Sequence, residues 1–124
     1  MQIDKELLDR LFVQAKNSPR LRMNYDLRTS SADTSQRMLN ALLPGTEVPI
    51  HRHEETTETV VCLCGRLEEM IYEKMSDGSF QEVSRHLLCP AEGCFGIQIP
   101  AGAWHTIQVL EPSVIFEAKD GAYK

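Results

Sequence analysis

Apolar and polar residues alternate in two different ways along this chain. Near the N-terminus the apolar residues recur at three- and four-residue spacing, which places them on one face of an α-helix. They are Ile3, Leu7, Leu8, Leu11, Phe12 and Ala15. Asp4 is a suitable N-cap, and Pro19 disfavours helical geometry in the residue before it. The pattern therefore predicts an amphipathic helix over residues 3–16.

From residue 36 to residue 118 the pattern changes to short runs of alternating and β-branched residues, separated by glycine and proline. Such runs are typical of strands, and Asp77-Gly78 between two of them indicates a hairpin. One helix followed by about eight short strands predicts an all-β domain, an antiparallel jelly-roll barrel over residues 36–118. The chain has 124 residues, so we expect one domain spanning 1–124.

Residues 20–35 fit neither pattern. They form either an irregular surface segment or a lid, in which Arg22, Tyr25 and Arg28 would contact a substrate. Tyr25 is then also a candidate general base. Arg37 could supply a fixed positive charge to an anionic substrate, but it could equally form a structural ion pair.

Four residues carry the chemistry that the sequence offers. His51 and His53 are two positions apart, so on a strand they share one face. Glu58 follows a short polar turn, and His105 follows Pro100-Ala101-Gly102. Three imidazoles and one carboxylate can bind a divalent metal and leave open positions for water or substrate. We predict that these four residues are metal ligands. Alternation from His105 predicts that Ile107 and Val109 face the barrel interior, together with Phe116.

Composition excludes several classes of function. The net charge is −5, with acidic and basic residues interspersed, which disfavours nucleic acid or an anionic membrane as the partner. No apolar run is long enough for a membrane span, and the N-terminus lacks a signal-peptide pattern. We therefore expect a cytoplasmic protein with reduced thiols. The cysteines, predicted to be buried apolar residues, are Cys62, Cys64, Cys89 and Cys94.

The spacing around these ligands resembles a known family. Gly45-x5-His51-x-His53-x4-Glu58-x6-Gly65 is similar to the first cupin motif, and Pro100-x-Gly102-x-x-His105 is similar to the centre of the second. Cys94 and Val109 replace the glycine and asparagine that usually flank that second motif. The whole chain resembles the WbuC-family cupin fold metalloproteins. This resemblance implies a jelly roll, a bound divalent metal and a role in bacterial surface-polysaccharide (O-antigen) biosynthesis.

Three hypotheses follow for function. The first is a metal-dependent enzyme acting on a small sugar-like or carboxylate-bearing molecule, either an isomerase or epimerase or a dioxygenase, with Tyr25 and Arg37 as candidate catalytic residues. The second is a non-catalytic binding module for such a molecule, and the third is a scaffold stabilised by its metal. The absence of thiolate ligands favours manganese or iron, while zinc, nickel and cobalt are also compatible. Open β edges lead us to expect a homodimer.

Overall fold

The computed structural model describes residues 1–121, which form one helix, one 3-10 turn and six strands. In chain order these elements are α1 (Lys5–Lys16), β1 (Arg22–Asp26), β2 (Ser35–Leu42), β3 (Glu58–Lys74), β4 (Phe80–Leu88), the 3-10 turn (Pro90–Glu92), β5 (Gly96–Ile99) and β6 (Trp104–Asp120). All strand pairs are antiparallel, in the order β1-β2-β6-β3-β4, with β5 paired to β3. The predicted all-β antiparallel fold with a short N-terminal helix is confirmed.

Helix α1 begins at Lys5 because Asp4 caps it. The Asp4 carboxylate accepts a hydrogen bond of 3.0 Å from the backbone amide of Leu7, satisfying one of the free donors of the first turn. The helix therefore starts two residues later than the apolar spacing predicted. Its buried face, which includes Leu11 and Ala15, packs on the sheet.

The strands number fewer than predicted because two of them are long and bent. In β3 the pairing with β6 shifts register between Cys62 and Leu67, so two predicted strands are one bent strand. Gly65 lies inside this bend with φ 98°, and a Cβ there would collide with Pro112 O and Ser113 Oγ. Gly65 thus provides both the backbone conformation and the close approach that the bend requires.

Two hydrophobic clusters cover opposite faces of the sheet. The barrel interior is filled by Leu42, Val60, Cys62, Leu67, Leu88, Ile99, Val109 and Ile115. The outer face packs against α1 through Leu7, Leu11, Ala15, Leu39, Ala41 and Val114, with Phe116 partly buried beside them. The prediction that Phe116 faces inward is therefore wrong. Both faces of this part of the sheet are covered, so an apolar side chain does not reveal which face it occupies.

The segment expected to be irregular or a lid contains a regular strand. Residues of β1 pair with β2 from Arg22 opposite Leu42 to Asp26 opposite Met38. Residues directly opposite each other share a face, so Tyr25 lies on the same face as Leu39, which packs against α1. Polar residues hid the alternation of this strand, and Asn24, Tyr25 and Asp26 are exposed at the edge of the sheet.

Candidate metal centre

The backbone joins the two histidine-bearing segments directly. His51 and His105 form an antiparallel bridge, with amide-to-carbonyl hydrogen bonds of 3.0 and 2.8 Å. Beyond this bridge, the Gly102 amide donates to the carbonyl oxygen of His53 at 2.8 Å. Segments more than fifty residues apart are thus held side by side, and their imidazoles meet.

The three rings are close enough to bind one ion. Their ligand-capable nitrogens all lie within 4.8 Å of one another, and no other such group of three occurs within residues 1–121. The ring centroid of His51 is 4.3 Å from that of His105 and 5.4 Å from that of His53. Ligands at about 2.1 Å from one ion lie roughly 3 to 3.5 Å apart, so small ring rotations would complete the site.

Hydrogen bonds fix the tautomers of two of these histidines. Nδ1 of His51 contacts the carbonyl oxygen of Pro49 at 2.9 Å, and Nδ1 of His105 contacts that of Ala103 at 2.9 Å. A carbonyl oxygen only accepts, so Nδ1 carries the proton in both rings and the lone pair remains on Nε2. Nε2 of His105 is buried without a hydrogen-bond partner. An unpartnered imidazole lone pair aimed at two other imidazoles fits a metal ion.

Glu58 adds a carboxylate to the edge of this group. Its Oε2 lies 2.8 Å from Nε2 of His53, close to the separation of two ligands on one ion. Burial alone would raise the pKa of Glu58, but the hydrogen bond from His53 and the neighbouring imidazoles bring it below its ordinary value. Burial lowers the pKa of His105, which favours the neutral, ligating form. Glu58 stands outside the three-histidine group and contacts it through His53.

The outer face of the site is held by a cation–π contact. Arg52 lies between the two ligand positions of the first segment, and Trp104 precedes His105. The guanidinium carbon of Arg52 stacks 4.6 Å from the centroid of the Trp104 ring. This contact ties the two segments together on the side opposite the imidazoles.

Replacing Arg52 with alanine is expected to weaken metal binding about tenfold without unfolding the chain, because the ligand segments lose their outer connection. Arg52→Lys should recover part of the affinity, since an ammonium also stacks on indole. Metal titration against a competing chelator measures both. Arg85→Ala, which removes an exposed arginine on β4, is the control. Equal affinity in the Arg52 and Arg85 variants would show that the stacking does not position the ligands.

The predicted substrate-binding arginines are engaged elsewhere. Arg28 pairs with Asp26 at 2.9 Å, and Arg37 pairs with Asp33 at 3.0 Å. Arg37 lies opposite Ala118, on the face of the sheet away from the barrel interior, as Tyr25 does. The alternative in which Arg37 forms a structural ion pair is the one the structure shows.

Arg22 lies on the same face as Leu42, which belongs to the interior cluster. Its Nη1 donates to the carbonyl oxygen of Glu47 at 2.7 Å.

Sequence reasoning missed two interior carboxyl groups. Glu117 lies opposite Val60 and therefore inside the barrel. Glu69 lies opposite Ile107, is 2% exposed, and has an Oε2 without a hydrogen-bond partner. Burial, followed by repulsion from Glu58, raises the pKa of Glu117 to about 8 and that of Glu69 well above its ordinary value. An acid between the apolar positions Leu67 and Ile71 was the signal available for Glu69.

The metal-free protein is expected to lose stability as the pH rises from about 5 to about 8. Folded Glu117 keeps its proton until about pH 8, whereas an unfolded chain releases it near 4.5. The folded state binds more protons in this window, so each pH unit lowers the free energy of unfolding by at most about 1.4 kcal/mol per carboxyl. Below the window both states are protonated and the full stability is present. Urea unfolding at several pH values measures this slope.

Glu117→Gln should flatten the slope because it removes one titrating group. A metal-free wild type that is as stable at pH 8 as at pH 5 would contradict the prediction.

The comparisons with known proteins place this site in a family and a fold. The sequence model described as "Domain of unknown function (DUF6016)" matches residues 3–85. The chain belongs to this family. The matched part of this DUF6016 chain includes His51, His53 and Glu58 and ends before His105. None of the curated proteins matches the sequence.

Several solved structures share the architecture at low sequence identity. The capsular polysaccharide assembling protein CapF from Staphylococcus aureus is 15% identical with a TM-score of 0.66. The match covers 86% of this chain and 30% of the CapF chain. The cupin domain of Schizosaccharomyces pombe Cnp3 is 11% identical with a TM-score of 0.56. The match covers 81% of this chain and 64% of the Cnp3 chain. A third structure is YcfD, a ribosomal oxygenase from Escherichia coli in complex with cobalt and succinic acid. It is 19% identical with a TM-score of 0.59, and the match covers 96% of this chain and 29% of YcfD.

These similarities establish the fold, a cupin-type jelly roll. The DUF6016 chain spans less than a third of the length of CapF and of YcfD, and less than two thirds of that of the Cnp3 domain. Together with the three-histidine group, the cupin fold is consistent with a metal-binding cupin. Within residues 1–121 no helix is both long and apolar enough to cross a membrane.

Proposed function

We propose that this chain is a divalent-metal cupin that binds a small sugar-like or carboxylate-bearing molecule at its metal. His51, His53, Glu58 and His105 hold the ion. The observation that carries the proposal is the buried, unpartnered Nε2 of His105, aimed at two other imidazoles. An imidazole with no hydrogen-bond partner in a buried site is unfavourable unless something binds it.

The chemistry of the donor set favours manganese or iron. The proposed ligands are nitrogen and oxygen, and Cys62 stands outside the three-histidine group, where burial raises the pKa of its thiol to about 11. When bound, such an ion polarises a carbonyl or hydroxyl oxygen of its ligand. The chain contributes the fixed imidazole tautomers, the Glu58 carboxylate and an apolar cluster in the barrel interior.

A role in surface-polysaccharide biosynthesis is the biological setting that we propose. It is supported by the resemblance to WbuC-family cupins and by the structural similarity to CapF, a capsular polysaccharide assembling protein. The cobalt in YcfD supports a transition metal in this fold. The protein would be an enzyme, an isomerase, epimerase or dioxygenase.

A non-catalytic binding module is the second candidate. It is favoured by the position of Tyr25, the predicted general base, which lies on the helix-bearing face of the sheet. This candidate predicts saturable ligand binding without product.

Metal analysis tests the proposal. The purified protein, loaded in turn with Mn²⁺, Fe²⁺, Co²⁺, Ni²⁺ and Zn²⁺ and then desalted, is expected to retain about one ion per chain. A chelator should remove the ion and lower the melting temperature, because an ion that binds only the folded state stabilises it. A chain that retains none of these ions, and whose melting temperature responds to none, would overturn the proposal.

A further inference from the structure

A row of polar side chains, Lys119, Glu58 and Gln36, lies at the entrance to the metal centre. A cavity of about 620 Å³ is lined by His51, His53 and Lys119, among others. In the sheet, Lys119 lies directly opposite Glu58 on one side and Gln36 on the other. Residues directly opposite share a face, so these three side chains form a polar row beside the cavity.

More polar side chains follow on the same face, deeper in the barrel. Glu117 lies two residues before Lys119 on β6, and Ile115, two residues before Glu117, lies opposite Asn40. Glu69 reaches the interior from the other half of bent β3, diagonal to His105. Polar groups therefore surround the metal centre from both halves of the barrel.

Three of these side chains have buried oxygens without a hydrogen-bond partner. They are Gln36 Oε1, Asn40 Oδ1 and Glu69 Oε2. Gln36 is 5% exposed and Glu69 is 2% exposed. Buried oxygens are nearly always hydrogen-bonded in folded proteins. The amide oxygens of Gln36 and Asn40 lack a donor, whereas the carboxyl group of Glu69 can pair with a donor when it is ionised and with an acceptor when it is protonated.

We propose that this row is a subsite for a neutral, polyhydroxylated ligand, whose hydroxyl groups donate to Gln36, Glu69 and Glu117 while the ligand reaches the metal. The inference rests on the proposed metal function and narrows its ligand from sugar-like or carboxylate to sugar-like. A hydroxyl donates and accepts, so it suits a carboxyl group in either protonation state. An oxyanion offers only acceptors, so it has no donor for the unpartnered oxygens of Gln36 and Asn40.

Isothermal titration of the Mn²⁺-loaded protein tests this subsite, with the metal content measured in every sample. The neutral probes are aldohexoses and hexitols, and the anionic probes are the matching hexonates and succinate. We expect a neutral probe to bind with a Kd below about 1 mM, and Glu69→Leu to weaken it at least tenfold at unchanged metal content. Glu69→Gln keeps an accepting oxygen and should retain most of the affinity.

Glu68→Leu is the matched control. Glu68 neighbours Glu69 on β3, but its side chain is on the opposite face, where it pairs with Arg85 at 3.5 Å. Glu68→Leu should leave the affinity for the neutral probe unchanged. Metal-free Glu69→Leu should melt at or above the wild-type temperature, because an unpartnered buried acid is replaced by an apolar group of similar size. A lower melting temperature would assign Glu69 a structural role and contradict the proposal.

The other outcomes also decide the question. Metal-loaded protein that binds only the anions, or binds no probe, or binds the neutral probe equally in Glu69→Leu, overturns the subsite and leaves the metal centre intact. Protein that retains no metal overturns the proposed function and this inference together.

Discussion

Replacing His105 with alanine is expected to lower the affinity for divalent metal at least about a hundredfold. The substitution removes the one ligand whose Nε2 is fully buried and without a partner. It leaves the backbone bridge to His51 in place, because that bridge uses main-chain atoms only. The variant should therefore fold, which circular dichroism checks, and should fail to retain metal after desalting. Competition with a fluorescent chelator gives the affinities.

His86→Ala is the matched control for this experiment. His86 is exposed on β4, where its ring contacts Ser84 Oγ at 3.0 Å, and it is not part of the three-histidine group. It should retain the wild-type affinity, whereas His51→Ala should resemble His105→Ala. If both ligand variants keep one ion per chain with unchanged affinity, the metal lies elsewhere and the assignment of these ligands is wrong.

Replacing Gly65 with alanine is expected to lower the free energy of unfolding by about 3 kcal/mol or more. Two effects add. The backbone there has φ 98°, which a side chain rarely adopts, and the new Cβ would collide with Pro112 O and Ser113 Oγ. Pro112 O belongs to the backbone of β6, which is paired to β3 and cannot move independently. Urea unfolding monitored by circular dichroism measures the loss.

Gly78→Ala separates the two effects. Gly78 has a similar φ of 88°, but a Cβ there would meet nothing within 4 Å. Gly78→Ala should lower the free energy of unfolding by only about 1 kcal/mol, because the backbone conformation alone is unfavourable. If both substitutions lower the free energy of unfolding equally, the close approach at Gly65 does not constrain the bend.

The three histidines could be singled out from sequence because the signals beside them are local. His51 and His53 are two residues apart, and Pro100-Ala101-Gly102 precedes His105. The strand expected around His51 and His53 is reduced to a single bridge between His51 and His105. The interior carboxyl groups could not be predicted in the same way. Which residues of β6 face inward depends on the register shifts between Cys62 and Leu67, and those shifts arise from contacts between distant segments.

Strand β1 was not predicted for a related reason. The residues of β1 are polar, and their strand geometry comes from pairing with β2 rather than from their own propensities. The sequence allowed Arg37 either to bind an anionic substrate or to form an ion pair. Only the strand register shows that its side chain lies on the outer face of the sheet. Local patterns therefore indicated the metal centre, while long-range pairing decided the lining around it.

The nested pairing of β3 and β6 also predicts an order of assembly. Tyr72 pairs with Trp104 at the inner end, whereas Glu58 pairs with Lys119 at the outer end, where the separation along the chain about doubles. Loop closure becomes more costly with length, so we expect the two strands to pair from the inner end outward. On this expectation His105 associates early and Glu58 last. The four proposed metal ligands would then come together only when the outermost pair of β3 and β6 has formed.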